Sequence, residues 1–248
     1  MKYDLLEVRQ YATRQEMGAA AAGDIRDRIL ALLQEKPYIN MIFAAAPSQN
    51  EVLQGLAEDP QIPWQRINAF HMDEYIGLPV TAPQRFGNFL GRHLFDKVPL
   101  RAVHYIDSAA AAEEAAEKYA RLLGEYPVDI VVMGIGENGH IAFNDPGFAD
   151  FNDPKKVKTV VLDPVCRQQQ VNDGCFAALE EVPMYALTLT VPALMAAPWK
   201  FCIVPAKSKA WAVRQTLQGP VTDMLPASVL RLQENAVLYL DKESVELL

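Results

Sequence analysis

A repeated alternation constrains this chain more than any other feature. Apolar runs of strand length occur at 38–46 (YINMIFAAA), 67–70 (INAF), 128–134 (VDIVVMG), 157–162 (VKTVVL), 185–191 (YALTLTV), 200–205 (KFCIVP) and 236–240 (AVLYL). Between them, 13–35, 50–58, 108–124 and 207–218 carry apolar residues at helical spacing. Strands interleaved with amphipathic helices call for parallel pairing, and helices then cover both faces of the sheet. The expected fold class is α/β: a doubly wound, mainly parallel sheet of about seven strands with helices on both faces, Rossmann-like in layout. A chain of 248 residues, 50% of them hydrophobic, can bury a sizeable core. No internal repeat, low-complexity tract or Ser/Gly linker interrupts it, so 1–248 is expected to form a single domain.

Several function classes are disfavoured at this stage. No apolar run is long enough to span a bilayer, and the opening MKYDLLEVRQYATRQEMG turns charged and polar at once, which predicts a cytoplasmic protein with no membrane partner. Cys166, Cys175 and Cys202 are odd in number and lack CxxC spacing, which suggests neither a disulfide framework nor a metal site. A net charge of -8 argues against nucleic acid as a partner, since a phosphate backbone needs a concentrated basic surface. A small anion can still be held by one or two placed cations and backbone donors. A homo-oligomer is compatible with all of this.

An open parallel sheet binds its ligand beyond the carboxyl ends of its strands, which directs the search to the residues after each run. Gly134, Gly136 and Gly139 in GIGENGHIAFNDP match a dinucleotide fingerprint, yet Pro146, Gly147 and Pro154 interrupt the helix that should follow. Glycines such as Gly136 can instead let the backbone approach a ligand, while His140 presents an imidazole suited to proton transfer near neutrality. A structural histidine on a turn fits the same spacing. Asp73 and Glu74 follow INAF, where they are either solvated caps or, for a carboxylate held rigid and partly dehydrated, a general base. Ala45, Ala46, Pro47 and Ser48 precede a helix; Ser48 and Glu51 read as a capping box, and the same free N–H groups suit a phosphate. Lys207 and Lys209 begin another helix, where a cation opposes the helix dipole unless an anion is present.

Taken together, FHMDEYIGLP, GIGENGHIAFNDP, VPMYALTLT and KSKAWAV, in this order, resemble the glucosamine-6-phosphate deaminase/isomerase family over nearly the whole chain. The resemblance implies conversion of glucosamine 6-phosphate and water to fructose 6-phosphate and ammonia, in amino-sugar catabolism, without a metal or organic cofactor. It implies that Asp73 moves the proton between C2 and C1 and that His140 assists ring opening. Asp145 stands where the family usually has glutamate, and Asn138 where it often has aspartate. Ala45, Ala46 and Ser48 replace its usual Gly-Thr at the phosphate loop. Lys209 matches a phosphate-binding position, and Arg167 lies several residues out of register with the family's phosphate-binding arginine. Two rivals stand beside this reading: 6-phosphogluconolactonase, a relative that needs no acid for carbon-proton transfer, and a non-catalytic sugar-phosphate sensor.

Overall fold

The computed structural model describes all residues, Met1–Leu248. Its strands are β1 (Lys2–Tyr3), β2 (Leu6–Gln10), β3 (Ile39–Phe43), β4 (Ile67–His71), β5 (Asp73–Tyr75), β6 (Ala102–His104), β7 (Ile130–Met133), β8 (Val157–Val161), β9 (Tyr185–Leu189), β10 (Trp199–Val204) and β11 (Ala236–Leu240). The α-helices are α1 (Arg14–Glu35), α2 (Asn50–Glu58), α3 (Phe86–Leu90), α4 (Ala112–Glu125), α5 (Pro164–Asn172), α6 (Val191–Met195) and α7 (Ala210–Gln218).

The central sheet has eight strands in the order β1-β2-β11-β10-β7-β3-β4-β6 and is parallel except for the β1–β2 pair. Each inner strand divides its side chains between two cores. On β3, Ile39, Met41 and Phe43 pack with Ile25 and Ile29 of α1 and Leu53 and Leu56 of α2, whereas Ile42 faces the core formed with Tyr119 of α4 and Val213 of α7. Strands β7 and β10 do the same, Val132 and Ile203 on the first side, Val131 and Cys202 on the second. Burial on both faces is why these runs read as continuously apolar, and the mainly parallel, doubly covered sheet is the expected one.

Two of the seven runs lie elsewhere. β8 and β9 pair with β5 in a separate three-stranded antiparallel sheet, in the order β5-β9-β8. Besides the two-residue edge strand β1, two strands of the large sheet, β2 and β6, have no counterpart among the seven runs. β2 buries Leu6 and Val8 and turns Glu7 and Arg9 outward, a half-buried alternation with charged residues between. β6 is three residues long and half-buried throughout.

The capping box expected at Ser48 and Glu51 does not form. Pro47–Gln49 make a 3-10 turn, no side chain caps α2, and the Glu51 carboxylate pairs with Arg14 at 2.7 Å. A capping box exists instead at Thr13 and Glu16, opening α1.

Strand order reverses between β3 and β7: from β3 the chain moves outward through β4 and β6, and from β7 through β10 and β11 on the other side. The crevice at such a switch point opens above the carboxyl ends of the two strands, here Ala44–Ser48 and Gly134–His140. The opposite, amino end is tied shut. Buried Asp129 accepts from the Asn40 backbone N–H at 2.8 Å and pairs with Lys36, and Asn40 in turn accepts from Asn68 at 2.8 Å. Asp129→Ala leaves these donors without a partner and is expected to lower stability by about 1–3 kcal/mol. Chemical denaturation should show it, with turnover preserved because the crevice lies at the other end of the strands.

Candidate active site

Strand β9 carries the geometry of the site. Asp73 stands opposite Thr188 in the β5–β9 ladder. The Thr188 hydroxyl accepts the Phe143 N–H at 3.1 Å, and Asn144 donates from its side chain to the Leu189 carbonyl at 2.8 Å and to its own loop at Ile141, 2.9 Å. The backbone N–H of Leu189 donates to the Met72 carbonyl at 2.8 Å. One strand therefore sets both the acid-bearing segment 72–75 and the loop 140–145.

Of the adjacent acids Asp73 and Glu74, only one faces the crevice. Glu74 is fully buried, and its carboxylate accepts the N–H groups of Tyr75, Phe86 and Gly87 at 3.0, 3.1 and 3.0 Å, with the Arg85 guanidinium 3.6 Å away. It staples β5 to the start of α3. Asp73 lines the crevice, and burial first, then the neighbouring Glu74 charge, push its carboxyl well above the usual carboxylate range. Behind it, His71 sits fully buried with Nδ1 2.8 Å from the Asp73 carbonyl and Nε2 accepting the Ile106 N–H at 2.9 Å. These contacts assign the proton to Nδ1, and burial lowers the pKa of the ring, so it is a neutral clamp on the Asp73 backbone.

The glycine loop exists to seat His140. No helix follows Gly139; the chain stays irregular from Met133 to β8, so the dinucleotide match has no structural counterpart. Gly136 donates to the His140 carbonyl at 2.9 Å, and a Cβ at Gly136 would lie 2.1 Å from the imidazole, so only glycine leaves room for the ring. Gly139 turns with φ +86°, a left-handed conformation that glycine adopts without a steric cost. The ring itself is directed from one side: Nδ1 is 2.8 Å from Asn138 Oδ1 and 3.2 Å from Asp145 Oδ1. Both are acceptors, so Nδ1 carries the proton and Nε2 holds the lone pair. Asn138 also donates to Asp145 at 3.0 Å. Burial raises the Asp145 carboxyl, but the bonds and charge from His140, Asn138 and the Asp163 N–H outweigh it and hold the group below its usual range. Asn138 and Asp145 stand behind His140 and do not line the crevice.

The second lysine of KSKAWAV is the unusual one. Lys207 is exposed and pairs with Glu246 at 2.9 Å, whereas Lys209 is buried at 4% exposure, lines the crevice, and has an ammonium with no hydrogen-bond partner in the protein. Burial lowers its pKa. The turn leading to it is strained: Ala206 has φ 81° and ψ 149°, a region nearly exclusive to glycine, fixed by two bonds from its N–H to the Asp241 carboxylate at 3.2 and 3.1 Å. Ala45, Ala46, Ser48 and Gly136 line the same crevice as Lys209.

Arg167 does not. Its guanidinium donates to the carbonyls of Leu179, at 2.6 Å, and Val182, at 2.8 and 3.2 Å, so it closes the segment after α5 and has no place in an anion site. Gln169 and Gln170, two and three residues further along α5, line the crevice instead, and Gln169 accepts the Glu137 N–H at 2.9 Å. The sequence offered one signal for them, a polar run on a short helix; that they are buried follows only from the fold.

The sequence and fold that build this crevice have known relatives. The model for glucosamine-6-phosphate isomerases/6-phosphogluconolactonase matches residues 12–239. The chain belongs to this family. A glucosamine-6-phosphate deaminase of Streptococcus uberis is 33% identical over 180 residues, covering 72% of this chain and 74% of the relative. That of Streptococcus gordonii is 36% identical over 179 residues, with 72% and 74% covered. Among solved structures, a monomeric glucosamine-6-phosphate deaminase superposes with a TM-score of 0.89 at 27% identity, over 98% of this chain and 100% of the other. The 6-phosphogluconolactonase of Trypanosoma brucei shares the fold at a TM-score of 0.79 and 20% identity, with 97% of each chain covered. No helix of this family member is long and apolar enough to cross a membrane.

Because the His140 ring occupies the space a Gly136 side chain would take, Gly136→Ala is expected to displace the imidazole. Turnover should fall by about 10²-fold or more, the range over which positioned acid–base groups contribute. A thermal midpoint close to wild type, measured alongside, assigns the loss to the ring and not to the fold.

Proposed function

We propose that this chain deaminates and isomerises glucosamine 6-phosphate to fructose 6-phosphate and ammonia. The single observation that carries this reading is the Asp73 carboxylate: buried, facing the crevice, raised in pKa, and sharing that crevice with an ammonium that has no partner of its own. The relatives' activity supports the same assignment.

In this reading Lys209 and the Ala45–Ser48 turn take the phosphate, which lies far from the reacting carbons and supplies binding energy that positions them. His140 opens the ring. Nε2 accepts the proton of the C1 hydroxyl and returns it to the ring oxygen, while Asp145 and Asn138 hold the Nδ1–H and stabilise the cationic imidazole between the two steps. Asp73 then removes the C2 proton, made acidic by the adjacent aldehyde, while O1 takes a proton from solvent to give an enolamine; Asp73 returns its proton to C1 as the nitrogen gives one up to solvent. The resulting C2 imine takes up water and releases ammonia. Asp73 and His140 each return the proton they take, and solvent exchanges the O1 and nitrogen protons, so the isomerisation balances. A lactone hydrolase has no carbon proton to move and would leave Asp73 without a role.

Two expected outcomes test this. Asp73→Asn keeps size but removes the base, so ammonia release and C2 proton exchange with deuterated solvent should fall about 10²–10⁴-fold. Its thermal midpoint at neutral pH should rise. A carboxyl whose pKa is higher folded than unfolded makes the native state bind more protons, so its ionisation disfavours the fold as pH increases above the ordinary carboxylate range. Near-normal ammonia release would remove Asp73 from the chemistry, and lactone hydrolysis without ammonia would move the chain to the other branch of its family. Lys209→Met replaces an unpaired buried cation with an apolar side chain of similar length. It should raise KM for the phosphosugar by about 10-fold or more, as expected for loss of a charge-assisted contact worth roughly 1.5–3 kcal/mol. An unchanged KM would exclude Lys209 from phosphate binding.

A further inference from the structure

Cys166 is buried on α5, close to His140 and Asp145. It shares one helical face with Gln169 and Gln170, one turn further on, which line the crevice. The start of α5 is tied to the acid–base relay, because the Asp163 N–H donates to Asp145 Oδ2 at 3.4 Å. In consequence one donor atom each from His140, Asp145 and Cys166 lie within 4.8 Å of one another, all three residues buried. Nothing in the deamination chemistry uses Cys166.

From this geometry we infer that His140, Asp145 and Cys166 form an inhibitory site for a thiophilic divalent cation of the Zn²⁺ class. The donor set is imidazole nitrogen, carboxylate oxygen and thiolate sulfur, the three types that zinc takes. Zinc bonds of about 2.0–2.3 Å at tetrahedral angles place donors about 3.3–3.8 Å apart, so movements of about 1 Å close the cluster, and Asn138 Oδ1, 2.8 Å from Nδ1, is a further oxygen at hand. Asp145 and the Cys166 thiolate together neutralise the dication. The exchange balances: the thiol proton leaves to solvent, and the imidazole proton moves from Nδ1, which the metal takes, to Nε2. An imidazole with Nε2 protonated and Nδ1 metallated cannot accept the C1 hydroxyl proton. The inhibitory consequence rests on the proposed role of His140; the binding does not.

The test uses the purified full chain and Co²⁺ as a spectroscopic probe, with Zn²⁺ in competition. Wild type should develop a thiolate-to-cobalt charge-transfer band with the visible bands of four-coordinate Co²⁺, and Zn²⁺ should abolish both. Cys166→Ala should lack the band, and Cys166→Ser serves if alanine in the core impairs folding; Cys175→Ala and Cys202→Ala should keep it. Zn²⁺ should inhibit ammonia release reversibly with EDTA, and the half-inhibitory concentration should rise by at least about tenfold in the Cys166 variants. A missing thiolate band in wild type, a band that survives loss of Cys166, or equal Zn²⁺ inhibition of wild type and the Cys166 variants each overturns the site. If wild type releases no ammonia at all, the proposed deamination fails while the cobalt spectra still decide the metal site.

Discussion

Asp73 and His140 stand 67 positions apart in the chain, and what makes them one site is their shared attachment to β9. The ladder position Asp73–Thr188 fixes the acid, and the Thr188 hydroxyl and Leu189 carbonyl fix the loop that presents the imidazole. A strand is a rigid ruler: a one-residue slip would turn Thr188 to the opposite face and release both attachments together. Because Thr188 is fully buried, its hydroxyl finds its two partners, the Phe143 N–H and the Leu189 carbonyl, within the protein and not in water. The small second sheet is therefore a mounting for the site, set against the carboxyl end of the large one.

Around that mounting the chain accepts several unfavourable local terms. Asp73 and Lys209 are charged groups buried without a hydrogen-bonding partner for the ammonium, and burial shifts both pKa values toward the neutral forms. Ala142 and Ala206 hold positive φ at 50° and 81° beside the crevice. Each such feature costs on the order of 1–3 kcal/mol, and they persist because two cores on opposite faces of the large sheet over-determine the backbone that carries them. A phosphate bound there, as proposed above, would offset the cost of the lone ammonium.

Much of this was legible in the sequence, and the limits have physical causes. The inner strands read clearly because both faces are buried and the apolar signal is continuous. β5 escaped because a three-residue strand of Asp, Glu and Tyr has no strand pattern of its own; it exists through pairing with β9 and the Glu74 staple to α3. β8 and β9 read as strands but not as a separate sheet, since an apolar run does not specify its partner. At the site, the motif positions Asp73, His140 and Lys209 were visible, but residue type alone does not separate Asp73 from Glu74 or Lys207 from Lys209; the family resemblance made that choice. Both pairs differ in partners rather than in residue type: backbone amides for Glu74, Glu246 for Lys207. Arg167 shows the converse, a cation near the right place in the chain whose guanidinium is consumed by the carbonyls of Leu179 and Val182.

The two departures from the family pattern behind His140 make sense as one change. Asp145 is a methylene shorter than the glutamate usual there, and its Oδ1 stands 3.2 Å from Nδ1, a longer contact than the 2.8 Å from Asn138. Asn138 bridges the gap: its carbonyl oxygen accepts from the His140 backbone N–H at 3.1 Å and lies against Nδ1, while its amide nitrogen donates to Asp145 at 3.0 Å. An aspartate at 138 would set a second carboxylate against Asp145 at that distance, and two like charges so close cannot both stay ionised. The amide avoids the conflict by offering an acceptor to the ring and a donor to the acid at once. A single negative charge then remains behind the imidazole, and it orients Nδ1–H. In this chain the shorter acid and the neutral bridge thus act together on one imidazole nitrogen.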